Sequence, residues 1–416
     1  MMFNRQISLL LLLYFSFSIS AQPLVADTHQ PIITIKLNNA PSVRNGFLPL
    51  FKQFESETGI KVIPLHYIND TEFREFIQRS DNEKAPLPDV LNGLNSERLY
   101  EIIRNDLIHP ITHLWKEKNW QADFPPNIVQ WLTHNNEIYA LPYTKYTWGF
   151  FYRKSFLAQF GNVPSDWSDF MAYCEKIKKS GIDLFPMTEK QPWIAAAWFE
   201  YLTLRMHGIS VFNGITQGKI SFHDKRIQDV FSAWKEMIDK GFFTYTYKSY
   251  QWQQQLPPFL RNKFAFMFMN TSLARRIYDP DILADTQFMA FPKMRNIPND
   301  ETSPVSLFFI SKNSKNKKNA EKLLTFIARA ASQEVIAEKL FSVPVNLASK
   351  PPQHRITASA HKILNSADSL SPFFDRAINQ DFAKVSLRAL ATFMTSGDIK
   401  SLTMTLEKAR IHYYIK

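Results

Sequence analysis

The chain has 416 residues, of which 45% are hydrophobic and 21% charged, with a formal net charge of +11. This length exceeds one ordinary hydrophobic core and predicts two lobes, in a chain of soluble globular composition. With no low-complexity tract and no internal repeat, an array is excluded. The positive charge does not point to nucleic acid, because neither a basic helix nor a recognisable nucleic-acid module accompanies it.

The N-terminus carries one positive residue, Arg5, and then an uncharged Leu- and Phe-rich run from Ile7 to Ile19. The small residues Ser18, Ser20 and Ala21 follow, with Ala26 a little further on. This pattern predicts a signal peptide over residues 1–26, cleaved between about residues 21 and 27. The apolar run is shorter than the roughly 20 residues that span a bilayer, which disfavours an uncleaved anchor. No cysteine lies near the cleavage region. The mature protein is expected in the periplasm.

Ile33, Ile35 and Leu37 alternate with Thr34 and Lys36, predicting a strand. Phe47, Leu50, Phe51 and Phe54 follow helical spacing, with Gly59 as C-cap. Ile60 to Pro64 is a second strand, and strand–helix–strand with short links predicts a parallel unit. Phe73, Phe76 and Ile77 suggest a helix capped by Asp70 or Thr71. Pro88 to Leu91 forms a third strand, followed by a polar loop, Asn92 to Ser96, and a helix carrying Leu99, Ile102 and Ile103. This alternation defines an α/β lobe.

The segment EIYALPYTKYTWGFFYRKSF, residues 137–156, is dense in β-formers and lacks helical period. It reads as extended chain leaving one lobe and entering the next. Pro164 to Trp167 opens a helix that closes at Gly181. Its stripe holds Phe170, Tyr173, Ile177 and the one cysteine, Cys174, which reads as a buried core thiol. A second stripe, Ile227, Val230, Phe231, Trp234, Met237 and Ile238, stops at Gly241. Strands are predicted at Phe264–Phe268, Phe288–Phe291 and Leu307–Ile310, then a helix with Ala320, Leu323, Leu324 and Ile327. The chain from Ser332 onward reads as mostly helical, and Lys312, Lys315, Lys317 and Lys318 as a solvated loop.

Enzyme signatures are absent: no Gly-x-Ser-x-Gly elbow, no phosphate-cradling Gly-rich loop, no His-Glu-x-x-His. His109 and His113 are four apart, but Pro110 breaks a helix between them, so neither a metal site nor a cofactor is expected.

The order of these segments resembles the extracellular solute-binding protein family 1, the maltose- and glycerol-phosphate-binding type. FKQFESETGIKV is similar to the family's first helix and second strand. PDVLNGLNSERLYEIIRNDLIHPI resembles its third strand and ligand loop, and residues 137–156 its first interlobe crossing. VPSDW, FLRNKFAFMFMNTSLAR, NAEKLLTFIA and VPVNLAS resemble later landmarks, in order. Two loops depart from the family pattern: Asn262 replaces the usual glycine before Lys263, and Thr302-Ser303-Pro304-Val305-Ser306 replaces a Gly-rich step.

The resemblance implies a two-lobed, type II periplasmic-binding-protein fold. Each lobe would be a mainly parallel sheet flanked by helices, and crossing strands would join the lobes. The lobes would be residues 27–142 plus 305–330 and residues 143–304 plus 331–416. It also implies capture of a small polar, carbohydrate-like solute, delivery to the membrane permease of an ABC transporter, a monomer, and no catalysis. A periplasmic sensor feeding a receptor kinase is the alternative, and a carbohydrate-active enzyme a remote one.

Sugars need aromatic faces and fixed polar groups, and both occur where the predicted strands end. The candidates are Asn38 and Asn39, Asn92 and Asn95, then Tyr143, Tyr146 and Trp148 at the crossing. Trp193, Trp198 and Trp252 follow, then Asn270, Thr271, Ser272, Arg275 and Ser303. Each has a packing alternative. An Asn after a strand also serves as a turn or cap, Tyr and Trp as core, and Arg275 as a partner for Asp279. Trp167 and Trp234 lie on helix stripes and read as core.

Overall fold

The computed structural model describes residues 30–38, 41–67, 87–245 and 250–415. The expected signal peptide, Asn39 and the helix expected around Phe73 lie outside the described residues. In chain order, the strands of the two main sheets are β1 (Ile32–Asn38), β2 (Lys61–Tyr67), β3 (Val90–Leu94), β4 (Ile108–His109) and β5 (Leu141–Lys145). They continue with β6 (Trp148–Arg153), β7 (Met267–Asn270), β8 (Thr286–Met289), β9 (Val305–Ser311) and β10 (Val343–Pro344).

The first sheet runs β10-β5-β9-β3-β1-β2, with β4 beside β9. The alternating Ile33, Ile35 and Leu37 are buried, as the pattern requires. β1 pairs in parallel with β2 and β3. β9 runs antiparallel to both β3 and β5. The second sheet is β7-β6-β8, with β6 antiparallel to both neighbours. Beside it Phe185–Pro186 pairs in parallel with Phe243–Thr244.

β6 and β9 run against their neighbours for the same reason. β6 enters the second lobe from the first, and β9 returns from the second to the first. A strand arriving from the other lobe starts at the interlobe end of its sheet, where the resident strands finish, and so must run against them.

Two separate hydrophobic cores follow. One gathers Ile33, Phe47, Phe54, Leu91, Trp115, Leu141, Phe308 and Leu324. The other gathers Phe150, Phe170, Phe185, Trp198, Phe231, Trp234, Phe268 and Phe393. Cys174 is buried in the second, and burial pushes its thiol far above its usual range. Trp234 is core, and Trp167 stacks on Phe291 at 5.5 Å.

The helix Ala330–Leu340 contributes side chains to the first core. Ile336 and Leu340 pack in the first core. The helix lies on Pro41–Thr58, where a Cβ on Gly46 would stand 3.2 Å from the Cβ of Lys339. A larger residue at Gly46 would push the two helices apart. After this helix Val343 joins the second core from the first sheet, while Val345 packs back into the first core.

Candidate functional site

Strand register fixes which residues face the other lobe. In the first sheet Val305 stands opposite Lys145, which also stands opposite Val343, and Asn95 donates its N–H to the Val305 carbonyl at 3.0 Å. The finishing ends of β1, β3 and β5 therefore lie together: Asn38, Leu94 with Asn95 after it, and Lys145. In the second sheet Asn270 pairs with Trp148, so β7 finishes where β6 starts. The carboxyl ends of both sheets thus meet around the crossings, the place where open α/β sheets hold ligands.

The crossings are tied side by side. Tyr146 N–H donates to the Pro304 carbonyl at 3.3 Å, and Ser303 Oγ donates to the Tyr146 carbonyl at 2.7 Å. Ser303 is fully buried, so its hydroxyl holds the two crossings together and does not face a solute.

On the first lobe, Asn92 Nδ2 donates to the Tyr143 hydroxyl at 2.7 Å and to the Leu307 carbonyl at 3.2 Å. The Tyr143 ring corrects the sequence expectation: it stacks on Phe308 at 4.4 Å and meets Phe47 edge-on, so it is core rather than a platform. Asn95 is buried; its Oδ1 accepts from Val305 N–H at 2.6 Å, while its Nδ2 has no partner among the described residues. Asn38 ends β1. Tyr146 is half-buried.

On the second lobe, Asn270 Oδ1 accepts from both the N–H and the hydroxyl of Ser272, capping the Thr271–Arg276 turn. Thr271 donates its N–H to the Thr147 carbonyl at 3.2 Å, and its buried hydroxyl has no partner. Arg275 Nε donates to the Ser272 carbonyl at 3.3 Å and enters no ion pair among the described residues.

Trp148, buried to 2% exposure, forms the centre of an aromatic group with Trp193 at 5.8 Å and Phe373 at 5.8 Å. Its Nε1–H is buried without a partner. Trp193 and Phe373 are half-buried, so their rings keep open surface. Phe373 was not marked in the sequence; the doubled aromatic in Ser371-Pro372-Phe373-Phe374 is the signal that could have found it. Trp252 lies alongside: its N–H donates to Gln191 Oε1 at 2.7 Å, and the Arg276 guanidinium covers its ring at 5.3 Å.

Trp198 does not belong with Trp193. It is 0% exposed and packs on Phe268 at 4.7 Å, Phe185 at 4.9 Å and Phe243 at 5.1 Å. Both tryptophans lie on the 24-residue helix Trp193–Thr216, which the sequence reading left unassigned.

The same helix carries a buried polar network that fixes the crossings from behind. Arg205 pairs with Glu301 and also donates to the Asp300 and Phe291 carbonyls. Tyr201 hydroxyl donates to Glu301 Oε2 at 2.9 Å and accepts from Trp148 N–H at 3.3 Å. Glu200 accepts from the Thr302 hydroxyl and from Phe374 N–H at 2.7 Å. Burial drives the Glu200 carboxyl up to about 8.

Within the helix, Gly208 breaks the α conformation at φ 77 and ψ 179. This lets Asp300 Oδ2 accept from Ile209 N–H at 2.7 Å and cap the second half. The backbone at Gly208 is open to glycine alone.

No three His, Cys, Asp or Glu side chains among the described residues are placed to hold a metal ion. His109 and His113 lie 6.5 Å apart by ring centroid, and His113 bonds Glu321 at 3.0 Å. No described helix is long and apolar enough to cross a membrane.

Two cores, strands crossing between them and strand ends meeting at their junction define a two-lobed binding protein. The chain belongs to the bacterial extracellular solute-binding protein family, whose model matches residues 40–334. An uncharacterised ABC transporter extracellular-binding protein of Pyrococcus horikoshii is 24% identical over 156 residues, 36% of this chain and 35% of that protein's length.

Among solved structures, the bacterial solute receptor AcbH, described as exclusive for β-D-galactopyranose, superposes with a TM-score of 0.82 at 20% identity. The match covers 92% of this chain and 98% of that one. A chitin oligosaccharide binding protein gives 0.79 at 18% identity, covering 92% and 99%. Maltose-bound MalE3 of T. maritima gives 0.74 at 16% identity, covering 92% and 99%. These likenesses establish a type II periplasmic-binding-protein fold.

Proposed function

We propose that this protein captures a small carbohydrate-like solute between its two lobes, outside the cytoplasm, and hands it unchanged to the permease of an ABC importer. It acts as a monomer in the periplasm after losing its leader. Residues 31–142 with 305–340 move as one lobe, and most of the remainder as the other.

The observation that carries this reading is the aromatic group Trp193, Trp148 and Phe373 beside buried polar atoms that lack protein partners: Asn95 Nδ2, Thr271 Oγ1 and Trp148 Nε1. Buried polar atoms are normally satisfied. A polyhydroxylated ring offers acceptors and donors to these atoms and C–H faces to the indoles. The sugars named for the similar solved structures support the same class.

A ligand bound only by the folded state raises its stability. A thermal-shift screen of the mature protein against mono- and oligosaccharides, uronates and polyols is expected to give a hit, recovered chemically unchanged after incubation. A screen in which only non-carbohydrates bind, or a hit that is hydrolysed, would overturn the reading.

A further inference from the structure

Lys145 is the residue the proposed function leaves unexplained. It is the last residue of β5, held between Val305 and Val343 at the interlobe end of the first sheet. It is 7% exposed. Among the described residues its ammonium group has no carboxylate partner and makes no side-chain hydrogen bond. A buried ammonium without a counter-ion is costly, and an incoming anion would offset that cost. Burial lowers the Lys145 amine to about 8, which leaves it mostly protonated at neutral pH.

The titratable groups described near it are a histidine and an arginine. His361, on the helix Arg355–Asn365 that packs against β10 and the Thr271–Arg276 turn, lies close enough for the Lys145 charge to lower its pKa, behind the larger effect of burial. Arg275, on that turn, lies within electrostatic reach of the Tyr143 hydroxyl, two residues from Lys145. It too lacks a carboxylate among the described residues. The sequence showed the same feature unremarked: Lys145 is the lone charge between Glu137 and Arg153 in the crossing segment.

We infer that the captured solute is an anionic sugar, whose carboxylate or phosphate group is received by Lys145 with Arg275 across the interlobe junction. This deepens the proposed function and rests on it. Recognition of the anion is charge-assisted, stronger than a neutral hydroxyl contact, and it restores a counter-ion to a buried ammonium. The net charge of +11 adds long-range attraction for such a solute.

The test uses the mature protein and matched probes in calorimetric titration. Neutral arms are galactose, glucose, cellobiose and maltose. Carboxylate arms are galacturonate, glucuronate and digalacturonate. Phosphate arms are glucose 6-phosphate and glycerol 3-phosphate, and citrate is the non-sugar acid. At least one sugar acid or sugar phosphate is expected to bind ten-fold or more tightly than its neutral counterpart, and the arm that responds identifies the anion.

Lys145→Met is expected to cost that ligand at least ten-fold in affinity while the free protein melts no lower than the wild type, because the variant removes a buried unpaired charge. Preferred binding of a neutral sugar, with Lys145→Met unchanged in affinity, overturns the anionic assignment and leaves sugar capture standing. Binding of citrate but of no sugar overturns sugar capture and keeps the anion site. Binding of no probe at all overturns both.

Discussion

Trp193 and Trp198 lie five residues apart on one helix, which at 3.6 residues per turn sets them about 140° apart. One therefore sits half-buried beside Trp148 while the other points into the aromatic core. Trp198→Ala is expected to cost roughly 3–5 kcal/mol of folding stability, the scale of deleting a fully buried aromatic, with affinity retained in the folded fraction. Trp193→Ala is expected to weaken solute binding by about 1–3 kcal/mol with a smaller effect on the melt. Denaturant melts beside calorimetry separate the two. Equal behaviour of both variants in both measurements would refute the assignment.

Glu200 makes a pH prediction. Its carboxyl titrates from an ordinary value of 4.5 in the unfolded chain to about 8 in the folded one. Between these values the folded protein holds a proton that the unfolded chain releases. The stability associated with this proton is fully present below about pH 4.5 and is lost as pH rises towards 8. Glu200→Gln keeps the shape and can bond both Thr302 and Phe374. Its melting temperature is expected to fall less steeply between pH 5 and 8, and to exceed that of the wild type at pH 8. A variant with the wild-type slope would show that Glu200 is not the group responsible.

At the scale of elements, the crossings are held less by their own pairing than by the helix Trp193–Thr216. Arg205, Tyr201 and Glu200 on that helix reach Glu301, Trp148 and Thr302 on both crossings. Arg205 and Glu301 are 5% and 0% exposed. Removing one member of such a pair leaves an uncompensated buried charge. Arg205→Met is expected to cost about 3–5 kcal/mol. The double variant Arg205→Met with Glu301→Gln is expected to recover part of that loss. A double-mutant cycle in urea measures the coupling, and strictly additive losses would mean that the pair is not a unit.

For the whole molecule, the proposed capture between two lobes predicts a hinge at the crossings, closing when a solute bridges both strand ends. Small-angle scattering is expected to give a smaller radius of gyration with saturating solute than without it. An unchanged radius at saturation would place the free protein already in the closed arrangement or remove the hinge from the mechanism.

How much of this was legible depended on whether a segment's environment is one-sided. The helices Trp167–Lys179 and Lys225–Asp239 were read correctly, since each has one buried and one solvated face and so carries a periodic stripe. The alternation Ile33, Ile35, Leu37 marked β1, and the dense β-formers of residues 137–156 announced the crossing. The helix Trp193–Thr216 escaped because it is buried on nearly all sides, which erases the period.

The sequence by itself determined a two-lobed α/β chain, its family, and the segments whose strands end at the junction of the two sheets. Those features are written locally, in apolar periods, caps and short motifs. Only the tertiary structure decided which of the marked residues are buried and what they pack against. It sent Trp198, the Tyr143 ring and Ser303 inward, brought Phe373 beside Trp148 across more than two hundred residues of chain, and left Lys145 buried without a counter-ion. Burial and pairing are properties of neighbours distant in sequence, so no local pattern carries them.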